Sequence, residues 1–221
     1  MEYFSYLYGM KYNAYRYIFP PRPHNAIPDS DLTFWDNKSL IGQPKMNGSN
    51  CVIFTDGLKS MIMNRHNQRL TNFEIPQAEF NSLFKCNPGE WMIINGEYLN
   101  KSKLDERGIT FNHKLVIFDI LAFKSNYLVG STFLERVELL DELYGKKESE
   151  KPYLYSISEN VYRVKTYETG FKQLYDDMIK IDMIEGLVLK RKNAKLEIGN
   201  TENNNTKSQL KARKPTKNYK Y

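Results

Sequence analysis

The sequence predicts an α+β fold with largely antiparallel sheets and flanking helices. Its β-prone runs are grouped along the chain, and only two long amphipathic helical segments interrupt them. Such grouping indicates antiparallel pairing rather than a regular alternation of strand and helix. The chain has 221 residues, of which 41% are hydrophobic, enough apolar material for one sizeable core.

The first 30 residues are expected to form an extended arm that packs on a body of residues 31–221. This arm is rich in aromatic residues and contains the run Pro20-Pro21-Arg22-Pro23, which excludes a helix there. An aromatic platform on which nucleic-acid bases stack is the alternative interpretation of the arm.

A β-hairpin is predicted where Asp56-Gly57 separates the β-prone runs 51–55 and 60–63. Hydrophobic runs predict further strands at residues 91–95, 114–123, 187–191 and 195–198.

The first helix follows Thr132, which has capping-box spacing to Glu135, and Gly145 is placed to end it. The second helix covers residues 171–179, where apolar side chains recur at helical spacing. The polar residues 199–207 are predicted to form a solvated loop.

The positive charge of the chain is concentrated at its C-terminal end. Residues 186–221 contain ten Lys or Arg against two acidic residues, whereas the whole chain carries +6, so residues 1–185 carry −2. A cationic segment on a near-neutral body indicates a polyanionic partner such as a nucleic acid or nucleotide phosphates. A solvated basic tail is the alternative.

Several classes of protein are excluded. No apolar run approaches the ~20 residues that span a bilayer, and the first residues do not resemble a signal peptide, so an intracellular protein without a membrane partner is expected. Cys51 and Cys86 lack the spacing of a zinc site or a disulfide framework and are expected to be reduced packing residues.

Lys45-Met46-Asn47-Gly48 is the first segment of a series that carries chemistry. A Lys-x-x-Gly match is expected about once by chance in a chain of this composition, so its weight comes from the segments that follow. These are, in order, Asn95-Gly96-Glu97-Tyr98, Ile117-Phe118-Asp119-Ile120-Leu121, Glu185-Gly186-Leu187-Val188-Leu189-Lys190 and Leu210-Lys211-Ala212-Arg213-Lys214.

The series resembles the covalent nucleotidyltransferase superfamily, which includes ATP-dependent DNA ligases, RNA ligases and mRNA capping enzymes. The resemblance extends over about residues 43–215 and implies an ATP-grasp-like domain. It implies that Lys45 is the nucleophile and that Lys190, Lys211 and Arg213 are catalytic cations. A lysine amine attacks only when neutral, and cations that converge on the same phosphates disfavour its charged form.

The resemblance also implies roles for the remaining site residues. Glu185 is the expected ligand of Mg²⁺, for which Mn²⁺ is a substitute, because a carboxylate is a hard oxygen ligand. Asp119 would orient Lys45 or brace the site. The expected nucleotide-binding residues are Gln43 towards the adenine amino group, Asn50, Arg65 towards phosphates, Glu97 at the ribose and Phe118 stacked on the base.

Departures from the family pattern leave the sugar of the substrate open. Asn47 and Asn50 occupy positions where DNA ligases usually have Asp and Arg, and Gly48-Ser49-Asn50 resembles the RNA ligase 2 branch. The segment 118–121, followed by Gly130 and the helix with Glu135-Arg136, looks more like DNA ligases and capping enzymes. Only ten residues follow Lys211, so no C-terminal oligonucleotide-binding (OB) domain is expected.

The sequence therefore predicts a monomeric ATP-dependent polynucleotide ligase that acts on nicked or broken DNA or RNA duplexes through a lysyl-AMP intermediate. Two alternatives remain: a GTP-dependent mRNA capping guanylyltransferase and a non-catalytic nucleic-acid-binding module.

Overall fold

The computed structural model describes residues 17–36, 38–199 and 201–215. Eleven strands, four α-helices and a short 3-10 helix (Asp29–Asp31) lie within this part of the chain. The strands are β1 (Arg22–Ala26), β2 (Leu40–Met46), β3 (Ser49–Thr55), β4 (Ser60–Asn64), β5 (Met92–Leu99), β6 (Lys114–Phe123), β7 (Asn126–Tyr127), β8 (Leu154–Ser156), β9 (Val161–Val164), β10 (Ile184–Arg191) and β11 (Asn205–Arg213). The helices are α1 (Leu32–Trp35), α2 (Gln77–Asn81), α3 (Phe133–Tyr144) and α4 (Phe171–Met178).

The strands form two sheets. One has four strands in the order β1-β11-β10-β2, and the other has seven, in the order β4-β3-β5-β6-β9-β8 with β7 paired to β6. Within the described residues, only the β1–β11 and β6–β9 pairs are parallel. The predicted α+β class with largely antiparallel sheets and flanking helices is confirmed.

The predicted hairpin is confirmed, since β3 and β4 pair antiparallel across the Asp56-Gly57 turn. Asp56 accepts hydrogen bonds from the backbone amides of Leu58 and Lys59, which fixes the turn. The strand predicted at 114–123 has the bounds of β6, and seven of its ten residues are buried. The run predicted at 91–95 overlaps β5, which begins one residue later at Met92. The run predicted at 187–191 lies within β10.

Both predicted helices are confirmed. At α3 the Thr132 hydroxyl accepts a hydrogen bond from the amide of Glu135, and the Glu135 carboxylate accepts one from the amide of Thr132. Gly145 ends α3 with φ 66°, a conformation that favours glycine. The apolar stripe of α4 packs on the four-stranded sheet, where Phe171 is fully buried.

The predictions for residues 195–198 and 199–207 are wrong in part. Residues 195–198 form no strand but only an isolated bridge between Lys195 and Thr132. Leu196 is buried there and exchanges backbone hydrogen bonds with Gly130 and Ser131. The partner position beside β10 is taken by β11, which begins at Asn205, inside the predicted solvated loop.

The described part of the N-terminal arm begins at Tyr17. The Tyr17 hydroxyl donates a hydrogen bond to the carbonyl of Asn64 at the end of β4, and Ile18 is buried. The strand β1 then pairs with β11 at the edge of the four-stranded sheet. Residues 1–16 lie outside the described residues, and the division into an arm of residues 1–30 and a body of residues 31–221 stays a prediction.

The main hydrophobic core lies between the four-stranded sheet and one end of the seven-stranded sheet, and a second core lies under α2 and α3. Cys51 is a buried free thiol in that second core. No helix among the described residues has the length and apolar character to cross a membrane.

Candidate active site

Lys45 lies near the C-terminal end of β2, beside the start of β10. Its ammonium group forms an ion pair with the carboxylate of Glu185. Arg213, on β11, places its Nε 3.1 Å from the same carboxylate oxygen. A register shift between Ile184 and Gly186 brings Glu185 to this position. Three strands of one sheet therefore place a carboxylate between two cations.

Gly186 permits the close approach of β10 to β11 behind this cluster. Its φ is 150°, and a Cβ at this position would lie 2.0 Å from the carbonyl oxygen of Ala212. Residues other than glycine rarely adopt such a backbone conformation. The glycine in the Glu-Gly-Leu-Val segment thus fixes the distance between the strands that carry Glu185 and Arg213.

Glu97 and Asn50 enter the site from the seven-stranded sheet, where they are paired on β5 and β3. The Asn50 amide nitrogen donates to the side-chain oxygen of Asn95 at 3.1 Å and to the carbonyl of Gly96 at 3.2 Å. Burial raises the pKa of Glu97 to about 7, an effect that the charge of Lys45 opposes. Glu97 is therefore a carboxyl group that changes charge near neutral pH.

Phe118 and Gln43 are joined by a hydrogen bond. The Gln43 side-chain nitrogen donates to the Phe118 carbonyl at 3.3 Å, which leaves its side-chain oxygen as an acceptor. The Lys190 ammonium lies 4.9 Å from the centroid of the Phe118 ring and 4.5 Å from that of Phe133. Burial lowers the pKa of Lys190 to about 8, although Asp119 opposes this shift.

Asp119 forms a buried ion pair with Arg136 of α3, with N–O distances of 2.8 and 3.1 Å. Both side chains are at most 3% exposed. Arg136 also donates to the carbonyl of Ser131, which ties the start of α3 to β6. Of the two roles expected for Asp119, this contact supports bracing of the site. Arg136 and Phe133 were not among the predicted site residues.

Lys211 and Arg65 are held by neighbouring groups. The Lys211 ammonium donates to the carbonyl of Pro23 in the arm, at 3.2 Å. Burial and the nearby cations Arg213, Lys45 and Arg22 lower its pKa. Arg65 Nε lies 3.0 Å from Nε2 of His66, just beyond β4.

A cavity of about 820 Å³ opens between the two sheets at this cluster. All ten residues predicted for catalysis, nucleotide binding or metal binding contribute to its lining. They are Gln43, Lys45, Asn50, Arg65, Glu97, Phe118, Glu185, Lys190, Lys211 and Arg213.

Carboxylates that line the cavity could hold a metal ion together with the phosphates of a bound nucleotide. Within the described residues, no group of three or more His, Cys, Asp or Glu side chains is placed to hold a metal ion. Glu97 and Glu185 nevertheless both line the cavity, while Asp119 is engaged by Arg136. One or two carboxylates together with substrate phosphates are a common ligand set for Mg²⁺. Glu185, with Glu97 near it, fits that ion.

Residues 25–209 match the sequence model of the ATP-dependent DNA ligase domain. The chain belongs to this ligase family. The resemblance to ATP-dependent ligase adenylation domains is confirmed, and the family is one that uses ATP. No curated protein matches the chain in sequence.

Solved ligase structures have the same fold. A mycobacterial DNA ligase D complexed with ATP and MES is 16% identical with a TM-score of 0.65, covering 89% of this chain and 60% of that one. The ligase domain of LigD from M. tuberculosis is 16% identical with a TM-score of 0.61, covering 89% and 59%. The ATP-dependent DNA ligase of bacteriophage T7, in complex with ATP, is 14% identical with a TM-score of 0.54, covering 88% and 68%.

The chain thus spans about three fifths of the length of the first two of these ligase structures. At these identities the likeness establishes the fold alone. The ATP-grasp-like nucleotidyltransferase fold predicted from the sequence is confirmed.

Proposed function

We propose that the protein is an ATP-dependent polynucleotide ligase that works through a covalent lysyl-AMP intermediate on Lys45. The observation that carries this proposal is the cluster of Lys45, Glu185 and Arg213 in a cavity that is also lined by Lys190 and Lys211. A lysine beside a carboxylate, surrounded by further cations, suits attack on a phosphate.

In the first step the Lys45 amine attacks the α-phosphorus of ATP. A nitrogen–phosphorus bond forms, the bond to the bridging oxygen breaks, and pyrophosphate leaves. The amine must lose a proton before it attacks. Glu185 contacts the Lys45 ammonium and is the group placed to accept that proton or to hold the amine in line. Arg213 and Lys211 stabilise the charge that develops on the phosphate oxygens.

Glu185 would hold Mg²⁺, or Mn²⁺ in its place, together with the phosphates, and Glu97 lines the same cavity. When bound, the ion neutralises phosphate charge and orients the leaving group. Among the residues of this chain, Lys45 and Arg213 already contact the Glu185 carboxylate, so they keep it at the phosphates.

Phe118 and Gln43 support adenine recognition. Phe118 offers an aromatic face, and the free side-chain oxygen of Gln43 accepts a hydrogen bond from an amino group. Guanine presents a carbonyl oxygen where adenine presents its amino group, which favours ATP over GTP. Lys190 lies over the Phe118 ring and holds it in place.

In the later steps the AMP passes from Lys45 to a 5′-phosphate end, and a 3′-hydroxyl then displaces it to seal the strand. The proposed substrate is a nicked duplex, with DNA preferred because the matching family is that of DNA ligases. Because residues 48–50 resemble the RNA ligase 2 branch, a duplex with RNA beside the nick is the alternative substrate to test.

The test is incubation with α-labelled ATP and Mg²⁺, followed by a chase with nicked duplexes. We expect labelled protein that releases its label only with a 5′-phosphorylated nick. Lys45→Ala removes the label completely, whereas the matched control Lys101→Ala, at an exposed loop lysine, keeps it. A label from GTP alone would indicate a capping enzyme. Nick binding without any label would indicate a non-catalytic module, and a labelled Lys45→Ala protein contradicts the assignment of the nucleophile.

A further inference from the structure

Arg22 lies on β1, outside the segments that carry the ligase resemblance, yet it lines the same cavity as Lys45. Its guanidinium donates to the carbonyl of Glu202 at 3.1 Å. Glu202 belongs to the loop before β11, so this contact fixes the arm against that loop.

A chain of contacts connects Arg22 to the other sheet across the mouth of the cavity. Arg65 Nε lies 3.0 Å from Nε2 of His66, and the other ring nitrogen of His66 contacts the Glu202 carboxylate. Arg65 and His66 follow β4 of the seven-stranded sheet, whereas Arg22 belongs to the four-stranded one. Glu202 therefore brings Arg22 and Arg65 to the same side of the cavity.

Arg22 has no carboxylate partner at contact distance in the described part of the chain. Glu202 offers Arg22 its carbonyl oxygen, while its carboxylate is taken by His66. Among residues 17–36, 38–199 and 201–215, no acidic side chain forms an ion pair with Arg22. Burial lowers the pKa of Arg22, and the charges of Arg65 and Arg213 lower it further, against the opposing charge of Glu202.

The arm also contacts Lys211, a second cation that lines the same cavity as Arg22. Pro23 accepts a hydrogen bond from the Lys211 ammonium, and the β1–β11 register shifts between Pro23 and Asn25. A register shift of this kind redirects side chains locally. The arm thus contacts Lys211 through Pro23 and brings the charge of Arg22 close enough to help lower the pKa of Lys211. Arg22 therefore adds to an excess of positive charge that an anionic ligand would compensate.

We propose that Arg22 is a phosphate-binding residue that, with Arg65 and Lys211, binds phosphate groups of the substrates. This inference rests on the proposed ligase function. The phosphates are those of the pyrophosphate part of ATP or the 5′-phosphate at the nick, which share the same chemistry. A guanidinium suits this task because its fork of donors matches phosphate oxygens in pairs.

The first experiment measures calorimetric binding of inorganic pyrophosphate to protein freed of AMP. We expect Arg22→Gln to weaken binding about tenfold, the usual effect of losing a charge-assisted hydrogen bond. Arg22→Lys, which keeps the charge but loses the fork, is expected to fall between Arg22→Gln and the wild type. The matched control Arg191→Gln, at an exposed arginine outside the cavity lining, binds as the wild type does.

The second experiment tests the strand phosphate with protein already adenylated on Lys45. Binding to a nicked duplex with a 5′-phosphate is compared with binding to the same duplex with a 5′-hydroxyl. If Arg22 binds the strand phosphate, Arg22→Gln loses about tenfold of this discrimination and Arg191→Gln loses none. A loss in the first experiment alone assigns Arg22 to the ATP phosphates, and a loss in the second alone assigns it to the nick.

The proposal is overturned if Arg22→Gln and Arg22→Lys change neither measurement, or if the wild type does not bind pyrophosphate and does not distinguish the two nicks. Circular dichroism of both variants checks that they are folded, and Arg22→Lys carries the test if Arg22→Gln is not. The pyrophosphate measurement needs no chemistry. A protein that never forms an adduct but binds pyrophosphate through Arg22 therefore contradicts the ligase proposal and supports this one.

Discussion

Lys45 and Glu185 form an ion pair between neighbouring strands, and Arg213 contacts the same oxygen of Glu185 from the strand beyond. The pair holds the proposed nucleophile in a defined position before any nucleotide is bound. It also neutralises part of the positive charge of the cavity. When phosphates and a metal ion bind, their contacts with Lys45, Arg213 and Glu185 replace the contacts that these residues make with each other. The carboxylate is thus a positioning group for Lys45 as well as the proposed metal ligand.

Replacement of Glu185 by Gln is expected to slow formation of the lysyl-AMP adduct about 100-fold or more, since it removes a charge that acts on the reacting phosphate. The rate is measured by label incorporation over a range of Mg²⁺ concentrations, where the variant also needs more metal. Glu142→Gln, at an exposed position on α3, is the matched control and keeps the wild-type rate. Unchanged rate and metal dependence in Glu185→Gln would rule out its proposed role.

Arg136→Ala is expected to lower the free energy of unfolding by about 3–5 kcal/mol, because it leaves the buried Asp119 carboxylate without its partner. Urea denaturation measures this loss. In Arg136→Ala/Asp119→Asn the buried charge is absent, so the double variant is expected to be more stable than Arg136→Ala alone. If the second substitution instead adds to the loss, the ion pair is not what links α3 to β6.

The sequence was most informative where local patterns decide the structure. The capping box at Thr132 and the Asp56-Gly57 turn involve residues close in the chain, and both were predicted correctly. The strand prediction for residues 195–198 was wrong because tertiary packing determines the structure of this segment. Leu196 is buried between other elements, and β11 occupies the place beside β10. Pairing between distant segments leaves no local signal of this kind.

The site residues, too, were predicted where a local segment of sequence carried the signal. The ten predicted residues were found through ordered segments that resemble a family, and the structure brings them to one cavity, while their individual roles stay predictions. Arg136 was noted only as part of a family-like helix and was given no role in the site, because its partner Asp119 lies 17 positions away in the chain, on another element. Arg22 belongs to no such segment, and only the pairing of β1 with β11 brings it to the cavity.

Glu97 is expected to make the stability of the free protein fall as the pH rises from about 4.5 to about 7. Its pKa in the folded protein is raised to about 7 from the ordinary 4.5, so the folded state binds more protons than the unfolded state in this window. The stabilising effect of the protonated form is complete below pH 4.5 and lost as the pH passes through 7. Urea denaturation at several pH values measures it.

Glu97→Gln is the control for that experiment, since the amide keeps the size of the side chain and does not titrate. The difference in stability between wild type and Glu97→Gln should therefore change across this window and be constant above it. A difference that does not vary with pH would mean that Glu97 titrates normally in the folded protein.

Gly186→Ala is expected to lower the free energy of unfolding by about 2–4 kcal/mol, because it combines backbone strain with a steric clash. The added Cβ would lie 2.0 Å from the Ala212 carbonyl oxygen and would push β10 away from β11. Adduct formation should fall as well, since Glu185 and Arg213 would no longer be at their present distance.

The control variant Gly89→Ala separates backbone strain from the steric clash. Gly89 also has a positive φ, 87°, but no atom lies within 4 Å of its would-be Cβ. Its substitution is expected to cost about 1 kcal/mol through strain alone and to leave adduct formation unchanged. If the two variants lose equal stability, the close approach of β10 and β11 contributes nothing. If Gly186→Ala is destabilised yet forms the adduct at the wild-type rate, the distance between these strands does not limit catalysis.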